Sequence, residues 1–360
     1  GVWTVWKGLP GRRARLRRLG AALAVALLVP LAYSLQRWHS LDLRPAATVG
    51  VVQPSVPEHL KVGDIASAAD SAMRATESLV RPWRGRRDLD LVLLPETTVQ
   101  YYLDPIPSRG FEGATGMERW AARLAGSLDA DLVIGALGAR DLGDGDFVPY
   151  NSAFFLRSDG RREGRYDKRY LVPMVERVPF VSPELFAAFP VMSGSFGVGG
   201  FQRPLEVAET EASFGVMICY ESIFSPLARH YRRAGADFLV NITNDAWFGR
   251  EVWWSRSSAL WQHPAHLVMR AIETRMGAAR SANTGISGVV DPLGRFTRST
   301  PLFEPAAFVA QVETTDARTV YVRVGDAAGW AAALAAILAL AASLLRRRRR
   351  DPRAEAVPDA

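Results

Sequence analysis

Two uncharged apolar runs, Leu19 to Leu35 and Ala327 to Leu345, constrain this chain more than any other feature of it. A hydrocarbon core of about 30 Å takes roughly 20 helical residues, with about 17 as the lower limit, so both runs are long enough to cross a bilayer. Pro30 is tolerable in a helix surrounded by lipid. Each run abuts a basic cluster: Lys7, Arg12, Arg13, Arg15, Arg17 and Arg18 precede the first, while Arg346 to Arg350 and Arg353 follow the second. Cytoplasmic flanks carry an excess of Lys and Arg, so residues 1–18 and 346–360 are expected on the cytoplasmic side, with residues 40–325 outside. A signal peptide for the first run, or a buried core helix for either, also fits apolar length alone; the agreement of the two charged flanks favours two crossings. Residues 1–9 begin without an initiator Met and are expected to be the end of a longer membrane region.

The same clusters account for the charge. The chain has 44 basic and 37 acidic residues, a formal +7, and its two ends hold twelve of the basic ones against Asp351, Glu355 and Asp359. Without the ends the body is slightly acidic, and nucleic-acid binding by it loses its support. The body has room for one large domain or two smaller ones. Cys219 is the only cysteine, which excludes an intrachain disulfide. In an exported domain a lone thiol is either buried and inert or put to use.

Short apolar runs alternate with amphipathic stretches along the body. Strands are expected at residues 48–53, 89–96, 131–137, 151–156, 213–219, 237–242, 278–282, 287–291, 308–312 and 320–324, and helices at 58–80, 116–128, 225–234 and 255–276. Runs such as Leu91-Val-Leu-Leu94 are apolar at every position, which suits strands covered on both faces in an α/β layer fold. Gly, Pro and Ser gather at 104–116, 182–204 and 292–305, expected loops. The apolar stretch from Phe180 to Phe201 reads as a lid or a lipid-facing loop.

Three ionisable groups stand where apolar strands end, the usual place for sites in open α/β folds. Glu96 follows Leu91 to Pro95, Lys168 lies in Arg165-Tyr-Asp-Lys-Arg-Tyr-Leu-Val-Pro173, and Cys219 closes Gly215-Val-Met-Ile-Cys219 just before a helix. A thiol of pKa about 8.5 is mostly protonated at neutral pH and needs a base or a nearby cation to attack. Glu96 has the chemistry to take that proton and return it to a leaving group. Lys168 has the charge to stabilise the thiolate and then a tetrahedral oxyanion, to which the backbone N–H after Cys219 can also donate. Together they point to acyl transfer through a thioester. Glu176 and Glu221 repeat the pattern and can orient Lys168, tune the charge or move a proton.

Each residue also has an ordinary reading: Glu96 a surface carboxylate, Lys168 a solvated loop lysine, Cys219 an inert small hydrophobe, Glu221 a charge at a helix N-terminus. A Cys–His dyad would need His39, His59, His230, His263 or His266, and none has the strand-end setting of Glu96. His263-Pro-Ala-His266 lacks an evident third metal ligand. The runs 241–249 and 270–287 read as a hydrogen-bonded turn and as structural support.

Pro95-Glu96, the run from Tyr166 to Pro173, Cys219-Tyr-Glu221 and Asn244-Asp-Ala-Trp-Phe-Gly249 resemble the nitrilase, or carbon-nitrogen hydrolase, superfamily. Their order and the flanking apolar helices resemble, more narrowly, its bacterial apolipoprotein N-acyltransferase family, from about residue 48 to the C-terminal helix. The resemblance implies an α/β fold, a nitrilase-type α-β-β-α sandwich flanked by transmembrane helices, with residues 40–325 as the catalytic domain. It implies a Glu96–Lys168–Cys219 triad supported by Glu176, Tyr220 and Glu221, with no cofactor or metal. The implied partners are a phospholipid acyl donor, typically phosphatidylethanolamine, and a diacylated apolipoprotein acceptor. The implied place is the outer, periplasmic face of the bacterial inner membrane. The chain departs from the family in having only residues 19–35 of several N-terminal helices, and Val62 near Leu60-Lys61 where a Trp is expected. The rivals are a membrane-anchored amidase or nitrilase using water, and a non-catalytic membrane-anchored binding module.

Overall fold

The computed structural model describes residues 12–57, 63–177, 196–208, 210–249 and 252–350. Residues 1–43 form one unit and residues 44–360 another. The first holds helix α1 (Arg12–Ser40), which contains the expected span and continues past both of its ends. From chain position 44 onward the second unit runs β1 (Arg44–Gln53), α2 (Ile65–Val80), β2 (Leu91–Leu93), β3 (Val99–Tyr102), α3 (Thr115–Leu128), β4 (Asp131–Gly143), β5 (Asp146–Leu156) and β6 (Arg162–Asp167). There follow β7 (Leu205–Glu206), β8 (Ser213–Ile218), α4 (Ser225–Arg233), β9 (Phe238–Thr243), α5 (Ala259–Thr274), β10 (Gly277–Ala282), β11 (Gly288–Val290), β12 (Phe296–Ser299) and β13 (Ala306–Thr314). A short helix α6 (Val320–Val324) leads to α7 (Ala327–Arg350).

The strands form two sheets. One has the order β13-β1-β2-β4-β5-β6 with β3 beside β4; the other has the order β12-β11-β10-β9-β8-β7. Each has a parallel centre, β1-β2-β4 with β3 also parallel to β4, and β8-β9-β10, with antiparallel strands at the edges. Side chains alternate across a strand, and the first sheet uses the alternation to serve two cores. Val49, Val51, Leu91, Leu93, Val133 and Phe155 face the second sheet, packing in one core with Phe214, Val216, Val240 and Ile242. Their neighbours Val52, Val92, Ile134, Phe154 and Leu156 pack in another core with Trp120, Leu124 and Leu128 of α3. Leu227, Ala228 and Tyr231 of α4 and Leu267 and Ala271 of α5 join the second sheet's side. The layers are therefore α-β-β-α, held by side chains worth about 1.5–3 kcal/mol each when fully buried.

The helices are cut to fit. Asp64 caps α2 by accepting from Ser67 N at 3.0 Å, and Ala68, Ala72, Thr76 and Val80 repeat along its buried face. Trp120 of α3 donates its indole N–H to Glu77 of α2 at 2.8 Å, tying the outer layer together.

Some sequence expectations need correction. Residues 320–324 are helical rather than extended, because the Thr319 hydroxyl accepts from Val322 N at 3.1 Å and starts a turn. Strands β3, β6, β7 and β12 were not expected, and β12 crosses the supposed loop at 292–305. The strand expected at 89–96 pairs only over Leu91–Leu93. The helix expected from residue 255 begins at Ala259, after a 3-10 turn at Trp253–Ser255. Residues 58–62, with Val62, and residues 180–195 of the expected lid lie outside the described residues. Among the described residues two helices, Leu16–Ser40 and Ala327–Leu345, are long and apolar enough to cross a membrane.

Candidate active site

Glu96 owes its position to an interruption. After Leu93 the chain leaves β2, and Pro95, Glu96 and Thr97 turn across β4, with Thr97 in the left-handed region at φ 46°. Gly135 of β4 permits this, since a Cβ there would strike the Pro95 carbonyl and sit 2.6 Å from Glu96 Cα. The Glu96 carboxylate is buried and fully engaged. Oε1 accepts from Asn151 Nδ2 at 2.7 Å and from Lys168 Nζ at 3.2 Å; Oε2 accepts the Asn244 N–H at 2.8 Å.

Lys168 follows β6, its N–H donating to the Asn151 carbonyl at 2.8 Å and its carbonyl accepting from Gly199 N at 3.0 Å. Its side chain is 0% exposed and its ammonium lies between two carboxylates, Glu96 and Glu176, the latter at 2.9 Å. Burial by itself would depress an ammonium, but the charges of Glu96 and Glu176 and the hydrogen bond to Glu176 hold Lys168 above its ordinary value. Glu176 is fixed in turn by Asn151 Nδ2 at 2.9 Å and Val172 N at 2.8 Å. One amide group, Asn151, thus bridges both carboxylates.

Cys219 is the first residue after β8 and takes φ 51°, a left-handed conformation unfavourable for a side-chain-bearing residue. It opens the 3-10 turn Cys219–Ile223. Burial, then the Glu96 charge, push its thiol up to about 12, with Lys168 and the Thr243 hydroxyl pulling the other way. A group so raised rests as a thiol, and any attack by it would need a base.

Glu221 holds the turn. Its carboxylate, 0% exposed, accepts from Tyr166 OH at 2.7 Å, Arg169 N at 2.7 Å, Tyr170 N at 3.1 Å and Ile218 N at 2.7 Å. It bolts the segment after Lys168 to the residue before Cys219. Burial raises it to about 7, and those four donors oppose the rise. Tyr220 joins an aromatic group, edge-on to Phe224 at 5.1 Å, with Tyr170 stacked on the same ring at 4.1 Å.

Other residues of the site escape a reading of strand ends. Asn151, inside β5, and Asn244 act on Glu96. The turn at 241–249 and the supporting segment 270–287 meet behind Cys219. Asp245 accepts from Arg280 Nη2 at 2.6 Å and pairs with His263 Nδ1 at 2.8 Å, and His263 Nε2 lies 2.9 Å from the Cys219 carbonyl oxygen. The available signal was polar residues within apolar runs, Asn241 and Arg280 above all, because a buried polar group needs a partner. Among the described residues no three His, Cys, Asp or Glu are grouped to hold a metal.

Sandwich and site define a class, and residues 48–321 match the family model Carbon-nitrogen hydrolase; the chain belongs to that family. Nit3 of Saccharomyces cerevisiae, a member of branch 10 of the nitrilase superfamily, shares the fold with a TM-score of 0.53 and 19% identity, over 79% of this chain and 95% of its own. Within the family, the chain is similar to the apolipoprotein N-acyltransferase of Geobacter metallireducens, 34% identical over 90% of this chain and 59% of the relative. It is also similar to that of Bradyrhizobium diazoefficiens, 30% identical over 95% of this chain and 61% of the relative. The chain spans about three fifths of the length of these relatives.

Proposed function

We propose that the chain is an N-acyltransferase that moves a fatty acyl chain from a phospholipid, through a thioester on Cys219, to the N-terminal amine of a diacylglyceryl-cysteine on an apolipoprotein. The observation that carries this reading is a buried ammonium, Lys168, that two carboxylates grip at 3.2 and 2.9 Å, and its charge acts on the buried Cys219 thiol. The similarity to apolipoprotein N-acyltransferases supports the choice of substrates.

In the first half-reaction the Cys219 sulfur attacks the ester carbonyl carbon while Glu96 takes the S–H proton. The oxyanion is met by Lys168 and by the Tyr220 N–H. Collapse breaks the C–O bond, and the departing lysophospholipid oxygen receives the proton from Glu96. In the second half the acceptor amine attacks the thioester, Glu96 takes an N–H proton, and the C–S bond breaks to give the amide and a sulfur that is reprotonated. Asn151, Glu176 and Glu221 position, and Tyr220 supplies its backbone.

The bilayer holds both substrates, and the basic flanks favour residues 40–325 on the outer, periplasmic face of the inner membrane, between crossings at 19–35 and 327–345, with 1–18 and 346–360 cytoplasmic. Incubating the full chain in detergent with phosphatidylethanolamine and a diacylated lipopeptide tests the proposal. Triacylated peptide, with a hydroxylamine-labile acyl mass on Cys219, is expected. Free fatty acid without triacylated peptide would make it a hydrolase, and no acyl mass at all would leave a binding module.

A further inference from the structure

The chain of side chains Arg280, Asp245 and His263 takes no part in those steps, yet it ends on the nucleophile's own residue. All three are buried, Arg280 and Asp245 completely. Arg280 also bonds Asn241 through Nη1, and the Thr243 hydroxyl reaches Asp245 Oδ1 at 3.0 Å. Gly285 leaves room for the Asp245 carboxylate, which a Cβ at that position would strike. Burial alone would raise Asp245, but the charges and hydrogen bonds of Arg280 and His263 hold it well below the carboxylate range, so it is an anion. His263 therefore faces an oxygen acceptor from each ring nitrogen, Asp245 Oδ1 at 2.8 Å and the Cys219 carbonyl at 2.9 Å. Arg280 Nη2 also stands 3.3 Å from Nδ1, and the bond to the Cys219 carbonyl needs an N–H on Nε2.

The carbonyl of Cys219 and the N–H of Tyr220 are the two ends of one peptide group. Tyr220 lies in the first turn of the 3-10 segment, where backbone N–H groups have no partner within the helix. It is the N–H that a strand-to-helix nucleophile turn offers to an oxyanion. A donor on the oxygen of a peptide group polarises that group and strengthens its N–H as a donor in turn, the more so in a low-dielectric interior.

We infer that His263 is a positioning residue that strengthens the oxyanion site: anchored by Asp245 and Arg280, it polarises the Cys219–Tyr220 peptide and so sharpens the Tyr220 N–H toward the tetrahedral intermediate. The inference rests on Cys219 being the acyl-accepting nucleophile. A purely structural His263 would hold α5 against the turn and fix where the sulfur points.

The two roles separate by reaction type. Acylation by an ester passes through an oxyanion, whereas alkylation by iodoacetamide displaces iodide at a saturated carbon and forms none. We would measure single-turnover acylation by p-nitrophenyl butyrate and alkylation by iodoacetamide, both by intact mass, on the full chain in detergent as wild type, His263→Gln and His263→Ala. Removing a whole oxyanion donor costs about 10²–10³-fold, so weakening one is expected to cost His263→Ala roughly tenfold in acylation, with alkylation within about twofold of wild type. His263→Gln keeps a neutral donor of similar reach and is expected to fall between them. It also carries the test if the alanine variant does not fold. Equal losses in both reactions, or unchanged acylation in both variants, overturn the inference while leaving the acyl-transfer reading intact. A wild type that alkylates but never acylates overturns that reading, and the inference with it.

Discussion

At Cys219 burial and reactivity oppose each other. Burial that would shield the proposed thioester from water also, with the charge of Glu96, pushes the thiol up to about 12. At neutral pH almost no thiolate preexists, so the base has to act during attack. Glu96→Gln keeps an oxygen for Asn151 and removes the base, and Glu176 remains as a partner for Lys168. Acylation of Cys219 is expected to fall by about 10²–10⁴, with a lower melting temperature because the new amide N–H faces the Asn244 N–H; single-turnover mass spectrometry on protein shown folded by scanning calorimetry checks this, and a loss below tenfold would remove Glu96 from the mechanism. Glu221 makes a separate case. Its folded value is raised from 4.5 to about 7 by burial, so the native state holds that proton more firmly than the unfolded chain does. The associated stability is complete below about pH 4.5 and is lost as pH rises through 7, on the order of 3 kcal/mol. Glu221→Gln cannot titrate there. Unfolding free energies across pH 4.5–7 are expected to decline for wild type relative to the variant, and parallel profiles would contradict the assignment.

At the scale of elements, Gly135 shows how one strand sets the site. The turn carrying Glu96 lies flat on β4, with Glu96 Cα 2.6 Å from where a Cβ on residue 135 would stand. Gly135→Ala pushes the carboxylate away from Lys168 and the Asn244 N–H, and misplacement by about 1 Å is worth about 10² in rate. A kcat loss of that order, with KM nearly unchanged, is expected in steady-state assays of ester cleavage. An unchanged kcat would mean the turn adapts without moving Glu96. This dependence on a glycine several elements away marks what a linear reading misses. Strands such as Leu91–Leu93 and Phe238–Thr243 were legible because continuous apolar runs suit a doubly covered sheet. Residues 320–324 alternate Val with polar or aromatic side chains and so resemble a strand, but five residues are too few for periodicity to decide, and the Thr319 cap decides instead. Strand β6, Arg-Glu-Gly-Arg-Tyr-Asp, has no apolar period at all; it forms because β5 offers a register from Ser152 to Leu156. The strand-end positions of Glu96, Lys168 and Cys219 were visible in sequence. Their shared company was not, since Asn151, Asn244 and His263 reach them by hydrogen bonds across 44 to 148 residues of chain.

For the whole molecule, the decisive quantity is the placement of charge across a membrane. The body is close to neutral, and the excess positive charge sits beyond the two apolar runs. Moving Arg346 to Arg350 through a hydrocarbon core is costly, each arginine about 2.5–3.5 kcal/mol at the centre on the insertion scale, so the arginines should hold the C-terminal end in the cytoplasm. An exposed probe site on the body is available at Leu142, 59% exposed at the end of β4. In a Cys219→Ser background, Leu142→Cys is expected to react with a membrane-impermeant maleimide in spheroplasts. The Ala360→Cys variant of the same background is expected to react only after permeabilisation. Exchanging Arg346 to Arg350 for glutamine is then expected to make the thiol at the C-terminus partly reactive in intact spheroplasts, since the last helix loses the charges that orient it. Labelling of the Ala360→Cys variant but not of the Leu142→Cys variant, with all five arginines in place, would invert the topology and take the proposed site away from the periplasmic face where its acceptor is expected.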